Sequence, residues 1–279
     1  MSGDPPQTYL FVPGNRPERF AKALASGADR VILDLEDAVA PGDKAAARDA
    51  VVQWMTGAGE AQGKVLIRIN DDATPWHLDD LALMRAVQPA CVMLPKCETA
   101  AQVAAVLASL AINATVLPLI ETARGVMGLP GIAAAPGVAC LAFGSLDYMV
   151  DLNIPADSLA LDFAASQIAI ASRAAGLNSP VAGVTPALDA AQVSADMRHA
   201  RSLGFGAKMC IHPAQVAAVR AALAPSAEER AWAQRVLQAW QACSTGALQL
   251  DGKMIDRPVV LKAERIAAQA ARTDSSLTP

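Results

Sequence analysis

ATVLPLIETARGVMGLPGIAAAPGVACLAFGSLD, residues 114–147, contains two apolar runs that each end close to a carboxylate. The first run, 115–120, is followed directly by Glu121, and the second, 138–144, is followed shortly by Asp147. Short apolar runs of this kind are typical of buried parallel strands. Because neighbouring parallel strands present their carboxyl ends at the same edge of a sheet, we expect both acids to lie at that edge.

Two carboxylates at such an edge can hold one hard cation, with water in its remaining positions. Mg2+ is usually bound in this way, by few carboxylates together with oxygens of a substrate. Glu121 and Asp147 are therefore candidate ligands of Mg2+. The residues leave an alternative open, in which each acid caps the next helix or pairs with a nearby arginine such as Arg124.

The length and composition fit a single alpha/beta barrel. The chain has 279 residues, close to the roughly 250 of one such barrel. Hydrophobic residues make up 53% and aromatic residues only 4%, so small and branched aliphatic side chains must fill the core. The 23 basic and 27 acidic residues form no long run of either sign. Because no extended positive field is present, nucleic acid is not an expected partner.

Neither a membrane nor an oxidising compartment is indicated. No apolar stretch reaches the roughly 18 uninterrupted residues of a membrane span, and residues 1–7 lack the basic flank and apolar core of a secretion signal. We therefore expect a cytoplasmic protein. The cysteines are odd in number and widely spaced, which favours free, buried thiols over disulfides or zinc ligands. They are Cys91, Cys97, Cys140, Cys210 and Cys243.

Strand-like and helix-like segments alternate along the chain with a period of roughly 30 residues, the size of a β-α-β unit. The predicted strands are 9–13, 30–35, 65–69, 91–94, 115–120, 138–144, 181–184 and 207–211. Helices are predicted to begin at Pro17 and to span 43–55, 74–87, 99–110, 159–175 and 188–203. Eight units predict a closed TIM (β/α)8 barrel. An open doubly wound sheet is disfavoured, because polar residues follow nearly every strand and no glycine-rich phosphate loop opens the first helix.

The pattern changes after residue 224. Ser226 and Glu229 have the spacing of a capping box, and the Asp251-Gly252 pair is a two-residue hairpin signal, followed by a helix over about 259–271. The predicted organisation is a catalytic barrel domain, 1–224, and a helix-hairpin-helix extension, 225–279. The extension is too small for a core of its own, so it must pack on the barrel or on a neighbouring subunit.

Polar side chains near the strand ends would ring one mouth of the barrel, where barrel enzymes place their chemistry. They are Glu36, Asp37, Arg68, Lys96, Glu121, Asp147 and His212. Three of them have a plainer alternative role. Arg68 could simply pair with Glu36, Lys96 could form a surface ion pair, and His212 could be a hydrogen-bonded barrel residue.

Several fragments together resemble the aldolase/citrate lyase family, specifically proteins similar to the citrate lyase beta subunit and to malyl- and citramalyl-CoA lyases. The fragments are LFVPGNRPERFAKALASGADRVILDLEDAV at 10–39, RIN at 68–70, LPK at 94–96, IET at 120–122, FGSLDY at 143–148, GFGAKMCIHP at 204–213 and DGKMIDRP at 251–258. Any one of them would be weak evidence, but their order and length span nearly the whole chain.

The resemblance implies an Mg2+-dependent barrel lyase that cleaves a 3-hydroxyacyl-CoA, of the citramalyl-CoA or malyl-CoA type, to acetyl-CoA and a 2-keto acid. By position, Glu121 and Asp147 look like the metal ligands, with Glu121 also at the substrate. Arg68 looks like the arginine that binds the keto-acid carboxylate. Asp256 falls on the family's catalytic acid, a residue that tends to reach the active site from an adjacent subunit.

Further residues match positions that contact or orient the substrate in relatives. Those at the CoA thioester are Phe11, Arg16, Lys22, Ile211 and His212, and those expected to orient other side chains are Glu36, Asp37 and Lys96, with His212 as a suggested partner of the two acids. Arg16 and Lys22 could instead form a solvated helix face. Asp256 could instead cap the helix ahead of Pro258.

Other functions stay open at this stage. The chain could be a citrate lyase beta subunit-like enzyme that converts a citryl thioester on an acyl carrier protein to oxaloacetate, a non-catalytic barrel scaffold, or a pyruvate aldolase that needs no CoA. We expect a homo-oligomer, a trimer or hexamer. At 180–186 the sequence PVAGVTP departs from relatives that often carry an acid there, so Ala182 and Gly183 are expected to alter the pocket.

Overall fold

The computed structural model describes residues 5–156, 158–242 and 248–275, with side chains described as far as residue 271. Contacts within the chain divide it into two compact units, Met1–Arg220 and Ala221–Pro279. The predicted domain boundary after residue 224, and the surface on which the extension packs, stay predictions.

The first unit is a closed barrel of eight parallel strands, which confirms the predicted fold. Each strand pairs with its neighbours in chain order, and β1 closes the barrel by pairing with β8. The strands are β1 (Thr8–Pro13), β2 (Arg30–Asp34), β3 (Val65–Arg68), β4 (Cys91–Leu94), β5 (Thr115–Ile120), β6 (Ala142–Phe143), β7 (Val181–Ala182) and β8 (Ala207–Cys210).

Helices follow the strands. They are α1 (Phe20–Leu24), α2 (Lys44–Gly57), α3 (His77–Val87), α4 (Ala100–Leu107), α5 (Ala123–Ala133), α6 (Ser145–Leu152), α7 (Leu159–Ala174), α8 (Ala190–Ser202) and α9 (Gln215–Leu223). Short 3-10 turns at Pro17–Arg19, Pro41–Asp43 and Gly59–Lys64 precede α1, α2 and β3.

The barrel interior is packed with apolar side chains from alternate strand positions, because successive strand residues point to opposite faces. This core cluster contains Tyr9, Ile32, Leu66, Met93, Leu117, Leu119, Ala142, Val181, Ala207 and Met209. The cluster combines small residues such as Ala142 and Ala207 with large ones such as Met93 and Met209, so the interior is filled and is not a pore.

The structure differs from the predicted elements in the second half of the barrel. The predicted strand 138–144 is reduced to β6, with Val138 making only an isolated bridge to Val116 among the described pairs. The predicted strand 181–184 is reduced to β7. Helices α5, α6 and α9 were not predicted. Pro130 and three glycines within α5 weaken its helical signal, and a helix of eight or nine residues, such as α6 or α9, offers too few turns for a clear apolar period.

The second unit contains α10 (Ala227–Gln241), a hairpin of β9 (Leu248–Leu250) and β10 (Lys253–Ile255), and α11 (Arg257–Ser275). The predicted capping box is present at the start of α10. Asp251 and Gly252 have φ of 51° and 74°, as the predicted two-residue turn requires. These elements share a small apolar core that includes Val236, Ile255 and Val260, so the extension has a core of its own, and the expectation that it is too small for one was wrong.

Four of the five cysteines, Cys91, Cys97, Cys140 and Cys210, carry free thiols, and Cys243 lies outside the described residues. Burial raises the pKa of Cys97, Cys140 and Cys210 to about 12, so these thiols are unreactive. Within the described ranges, no helix combines the length and apolarity needed to cross a membrane.

Candidate functional site

Beyond the apolar core of the barrel, the next inward-pointing position along several strands carries a polar side chain. Asp34 comes two residues after Ile32 and Arg68 two residues after Leu66, while Glu121 stands in the same relation to Leu119. A cavity of about 340 Å³ opens at this carboxyl-end mouth. Its lining is Phe11, Asp34, Asp37, Ala38, Arg68, Leu119, Glu121, Gly144, Ser145, Leu146, Asp147, Val184, Met209 and Ile211.

Arg68 is held at the mouth by Asp34, the residue opposite it in the register of β2 and β3. Arg68 Nε donates to Asp34 Oδ1 and Nη2 donates to Asp34 Oδ2, both at 2.7 Å. This two-point contact fixes the plane of the guanidinium. The ring of Phe11 lies against it, with the guanidinium carbon 4.8 Å from the ring centroid. The charges of Asp34 and its neighbours outweigh the effect of burial and raise the pKa of Arg68, so Arg68 is always cationic.

Two further carboxylates approach the remaining Nη1 edge of Arg68. Glu36 Oε2 lies 2.8 Å from Nη1 and Asp37 Oδ2 lies 3.3 Å from it. The Glu36 contact is an ion contact whose geometry does not complete a hydrogen bond, so Glu36 Oε2 lacks a hydrogen-bond partner. The pairing of Arg68 with Glu36 that the sequence left open is therefore present. Glu36 and Asp37 pair with Arg68 rather than with His212, whose Nδ1 accepts from the N–H of Ala214.

Lys96 links the two sides of the mouth. Its Nζ donates to Glu36 Oε1 at 2.7 Å, and its backbone N–H donates to Glu121 Oε1 at 2.7 Å. Lys96 has φ of 44°, a left-handed conformation that costs a residue with a side chain about 1–3 kcal/mol and is common at functional sites. Burial alone lowers the pKa of Lys96, but the hydrogen bond and charge of Glu36 outweigh it and raise the pKa.

Glu121 is the least satisfied carboxylate of the mouth. Its side chain is 1% exposed, and its Oε2 has no hydrogen-bond partner. Burial, and then the negative charges of Glu36 and Asp147, raise the pKa of Glu121 to about 8. A buried carboxylate oxygen without a partner is costly in a folded protein, so this oxygen is available for a ligand.

Gly144, which follows β6, lets Glu121 occupy this position. A Cβ at Gly144 would lie 2.4 Å from Glu121 Oε2 and 2.7 Å from Glu121 Cβ. The N–H of Gly144 donates to the carbonyl of Ile120 at 2.8 Å, which keeps the two strand ends side by side. Asp147 is in the first turn of α6 and is exposed. Glu121 and Asp147 therefore face one cavity, as the sequence predicted.

The other predicted contact residues divide into two groups. Phe11 and Ile211 line the cavity. Arg16, Lys22 and His212 are exposed and are not among the described residues that line it. The predicted CoA contacts of these three residues stay predictions.

Asp256 lies in the second unit, at the start of α11. Its Oδ1 accepts from the N–H of Val259 at 3.3 Å, so the helix-capping role that the sequence left open is present. Its catalytic role stays a prediction.

Sequence reasoning missed Asp34 and Lys44. The run 30–35 was interpreted as ending in Glu36 and Asp37, although counting by two from Ile32 would have placed Asp34 inside the barrel. Lys44 is buried and donates from Nζ to the carbonyls of Leu35 and Glu36 and to Asn70 Oδ1, at 2.6, 2.8 and 2.7 Å. It fixes the loop that carries Glu36, but an isolated lysine at a helix start gives no signal of this in the sequence.

The residues at the mouth fit a divalent cation. Among the described residues, no group of three or more His, Cys, Asp or Glu side chains is arranged to hold a metal, but Mg2+ needs only one or two carboxylates when water and substrate supply the rest. Five acids at the mouth outnumber its two cations, and they still outnumber the cations when Lys44, behind the loop of Glu36, is added. The acids are Asp34, Glu36, Asp37, Glu121 and Asp147, and the cations are Arg68 and Lys96.

Comparisons with known proteins agree with this geometry. The family model described as HpcH/HpaI aldolase/citrate lyase matches residues 7–213. A citrate lyase subunit beta-like protein of Mycobacterium tuberculosis is 38% identical over 274 residues, which cover 96% of both chains. A (3S)-malyl-CoA thioesterase of Cereibacter sphaeroides is 32% identical over 280 residues, covering 96% of this chain and 98% of the relative.

A solved structure is similar over nearly the whole chain. The crystal structure of CitE from Mycobacterium tuberculosis in complex with magnesium, acetoacetate and coenzyme A has a TM-score of 0.86 and 36% sequence identity. The match covers 95% of this chain and 98% of that one.

Proposed function

Because the chain belongs to the HpcH/HpaI aldolase/citrate lyase family, we propose that it is an Mg2+-dependent carbon–carbon lyase acting on a 3-hydroxyacyl-CoA of the citramalyl-CoA or malyl-CoA type. One observation carries the proposal. The unpartnered Glu121 Oε2 is buried beside the cavity that Asp147 and Arg68 also line. Magnesium and coenzyme A in the complex of the CitE relative support the cofactor and the substrate class.

In this proposal Glu121 and Asp147 hold Mg2+. When bound, Mg2+ lowers the pKa of a hydroxyl and polarises a carbonyl at the keto-acid half of the substrate. Glu121 is suited to this role because Lys96 N–H fixes one of its oxygens and leaves the other towards the cavity. The pKa of about 8 is that of the metal-free carboxyl, and a nearby cation favours its ionised form.

Arg68 binds the carboxylate of the keto-acid half. Asp34 accepts hydrogen bonds from two of the five N–H donors of Arg68 and so fixes the orientation of the guanidinium. Asp37 is the weakest of its partners, since its side chain is 60% exposed and lies 3.3 Å away. A substrate carboxylate can therefore take the place of Asp37 at Nη1, beside Glu36, without disturbing Asp34.

In cleavage the hydroxyl gives its proton to water in the open cavity, and its oxygen becomes the keto oxygen. The bond between the hydroxyl-bearing carbon and the α-carbon of the thioester breaks, and its electron pair passes to the thioester as an enolate. That carbon must then receive a proton to become the acetyl methyl. Asp256 is the residue proposed to donate it, as an acid that reaches the site from an adjacent subunit.

The charge of the cavity favours a keto-acid half with one carboxylate. Arg68 is the only cation among the described residues that line the cavity. Oxaloacetate, the product from a citryl thioester, carries two carboxylates, whereas pyruvate and glyoxylate carry one. The single arginine therefore supports citramalyl-CoA or malyl-CoA over a citryl thioester.

The test is a panel of malyl-, citramalyl- and citryl-CoA, assayed for keto-acid release with and without Mg2+. We expect Mg2+-dependent cleavage of one of the first two and about a 100- to 1,000-fold loss in Glu121→Ala and Asp147→Ala, of the size seen when a charge-stabilising group is removed. Glu98→Gln is the matched control, since Glu98 is a neighbouring acid whose Oε1 accepts from Thr122. Absence of keto acid from every thioester would overturn the proposal.

Two alternative functions can each be recognised from the substrate that is used or the product that is released. The M. tuberculosis relative is named citrate lyase subunit beta-like, so a citryl thioester on an acyl carrier protein is a second candidate. Activity only with the carrier-linked substrate would identify it. The C. sphaeroides relative is named a thioesterase, and release of the free hydroxy acid in place of a keto acid would identify that reaction. Failure to bind Mg2+ or any acyl-CoA would favour a non-catalytic scaffold.

We also propose that the protein is a homo-oligomer, either a trimer or a hexamer. Large apolar side chains are exposed on helices α5 to α7 of the barrel unit: Met127, Val150, Leu159 and Phe163 are 83%, 81%, 84% and 62% exposed. Exposed apolar surface of this kind is typical of association sites. Light scattering would test the state, and a fully active monomer would contradict it.

A further inference from the structure

The loop after β7 is held by buried side chains instead of a strand ladder. β7 is only two residues long, and its register with β8 ends at the pair Ala182–Lys208. Lys208 Nζ donates to the carbonyl of Gly183. Thr185 Oγ1 donates to Asp196 Oδ2 at 2.6 Å.

Gln215, at the start of α9, joins this loop to the one after β8. Its Nε2 donates to the carbonyls of Thr185 and Ala187, both at 2.9 Å, and its Oε1 accepts from the N–H of Ile211 at 2.9 Å. Gln215 is 1% exposed. A glutamine amide has two N–H donors and one oxygen acceptor, so this side chain matches the three backbone groups that it contacts.

The two loops joined by Gln215 form one apolar side of the cavity. Val184 of the first loop and Ile211 of the second both line it, next to Met209. The charged residues Arg68 and Glu121 line the same cavity. A keto acid whose carboxylate and oxygens contact the charged groups would therefore have its substituent available to the apolar side.

The loop also packs closely on the β6 side of the cavity. A Cβ at Gly183 would lie 2.4 Å from Ser145 Oγ and 3.0 Å from the carbonyl of Phe143. The absence of a side chain at Gly183 thus lets the loop lie against Ser145, which lines the cavity. Gly183, one of the two residues at which the sequence departs from relatives, therefore determines how closely this loop lies to the pocket.

We propose that Gln215, together with Lys208, is a positioning residue that sets the place of Val184 and Ile211, so that this apolar side selects a keto-acid half with a small alkyl substituent. The proposal rests on the proposed function and narrows its substrate class to the citramalyl type, whose keto acid is pyruvate. Removing the amide leaves three buried backbone groups without a partner. The two loops then lose their fixed spacing, while Arg68 and Glu121 keep their positions.

The test uses Gln215→Met, which keeps the length of the side chain, in the full-length protein. Gln62→Met is the matched control, since Gln62 also donates to a backbone carbonyl, that of Met55, but precedes β3 at the opposite end of the barrel. The first readout is amide hydrogen exchange over 183–189 and at Ile211. We expect exchange there to quicken by about tenfold or more in Gln215→Met and to be unchanged in Gln62→Met.

The second readout is the ratio of the dissociation constants of pyruvate and glyoxylate, measured by calorimetry with Mg2+ present. One methyl group is worth about tenfold or more in such a pocket, so the wild type should prefer pyruvate by about that factor. The preference should fall to about twofold in Gln215→Met and persist in Gln62→Met. The KM ratio of citramalyl-CoA and malyl-CoA should change in the same direction, with a smaller effect on kcat.

The outcomes separate this proposal from the proposed function. Unchanged exchange in the two loops would overturn the positioning role, and faster exchange with an unchanged keto-acid preference would overturn the selectivity role. If no thioester is cleaved but the keto-acid preference still falls in Gln215→Met, the lyase proposal fails and the positioning role stands. A wild type that does not prefer pyruvate overturns the selectivity role directly.

Discussion

The two sides of the barrel mouth differ in how their buried charged side chains are paired. On the β2–β3 side, Arg68 is surrounded by the carboxylates of Asp34, Glu36 and Asp37. On the β5–β6 side, Glu121 has one backbone donor and an oxygen without a partner. On the first side every carboxylate contacts the Arg68 cation, so that side holds its geometry before any ligand arrives. On the second side a buried carboxyl oxygen has neither a hydrogen bond nor an ion contact with any described residue, so it is the side that a cation would complete.

The largest expected effect on stability comes from removing the carboxylate of Asp34 on the β2–β3 side. Asp34→Ala leaves the buried guanidinium of Arg68 without its two-point partner, which should lower the free energy of unfolding by about 3–5 kcal/mol. Asp37→Ala is the control, because its exposed carboxylate contributes only about 0–1 kcal/mol. Urea unfolding followed by circular dichroism measures both. Equal effects would mean that Asp34 has no special structural role.

A smaller effect on stability is expected from neutralising Glu121, on the β5–β6 side, in the metal-free protein. The folded pKa of Glu121 is about 8 and the unfolded value is about 4.3, so the folded state binds the proton more tightly. The protonated Glu121 carboxyl therefore makes its full contribution to stability below the unfolded pKa, and this contribution is lost as pH rises through about 8.

Glu121→Gln should therefore be more stable than the wild type at pH 9, by at most about 5 kcal/mol, the value of the full shift, with the difference vanishing near pH 4. Thermal unfolding in EDTA across this range measures the difference. A wild type that is the more stable protein at pH 9 would contradict the idea that the β5–β6 side carries uncompensated charge.

The smallest expected effect comes from moving the Glu121 carboxylate without removing it. Gly144→Ala places a methyl group against Glu121 Oε2, and a displacement of about 1 Å should lower kcat/KM by about 100-fold. Gly131→Ala in α5 is the control, since a Cβ there meets nothing within 4 Å. If Gly144→Ala kept full activity, the close packing of Glu121 on Gly144 would not matter for function.

The barrel could be predicted because each strand and its following polar residue are local features of the sequence. Glu121 and Asp147 could be placed at one mouth for the same reason. The partners of Arg68 could not be chosen, because Asp34, Glu36 and Asp37 are all near in sequence and only the β2–β3 register brings Asp34 opposite Arg68.

Features that depend on several elements at once were also missed. Gln215 contacts backbone groups of two loops, and nothing in its neighbouring residues marks such contacts. Strands β6 and β7 were predicted too long, because an apolar run shows which residues are buried but not how many of them pair.

The most direct test of the account is a titration of Mg2+ into the metal-free protein, with Mn2+ as a spectroscopic substitute. We expect one site in the wild type, affinity lower by at least about tenfold in Glu121→Gln and in Asp147→Asn, and unchanged affinity in Glu98→Gln. Equal affinity in all four proteins would show that the β5–β6 side does not bind the cation, and would contradict the account.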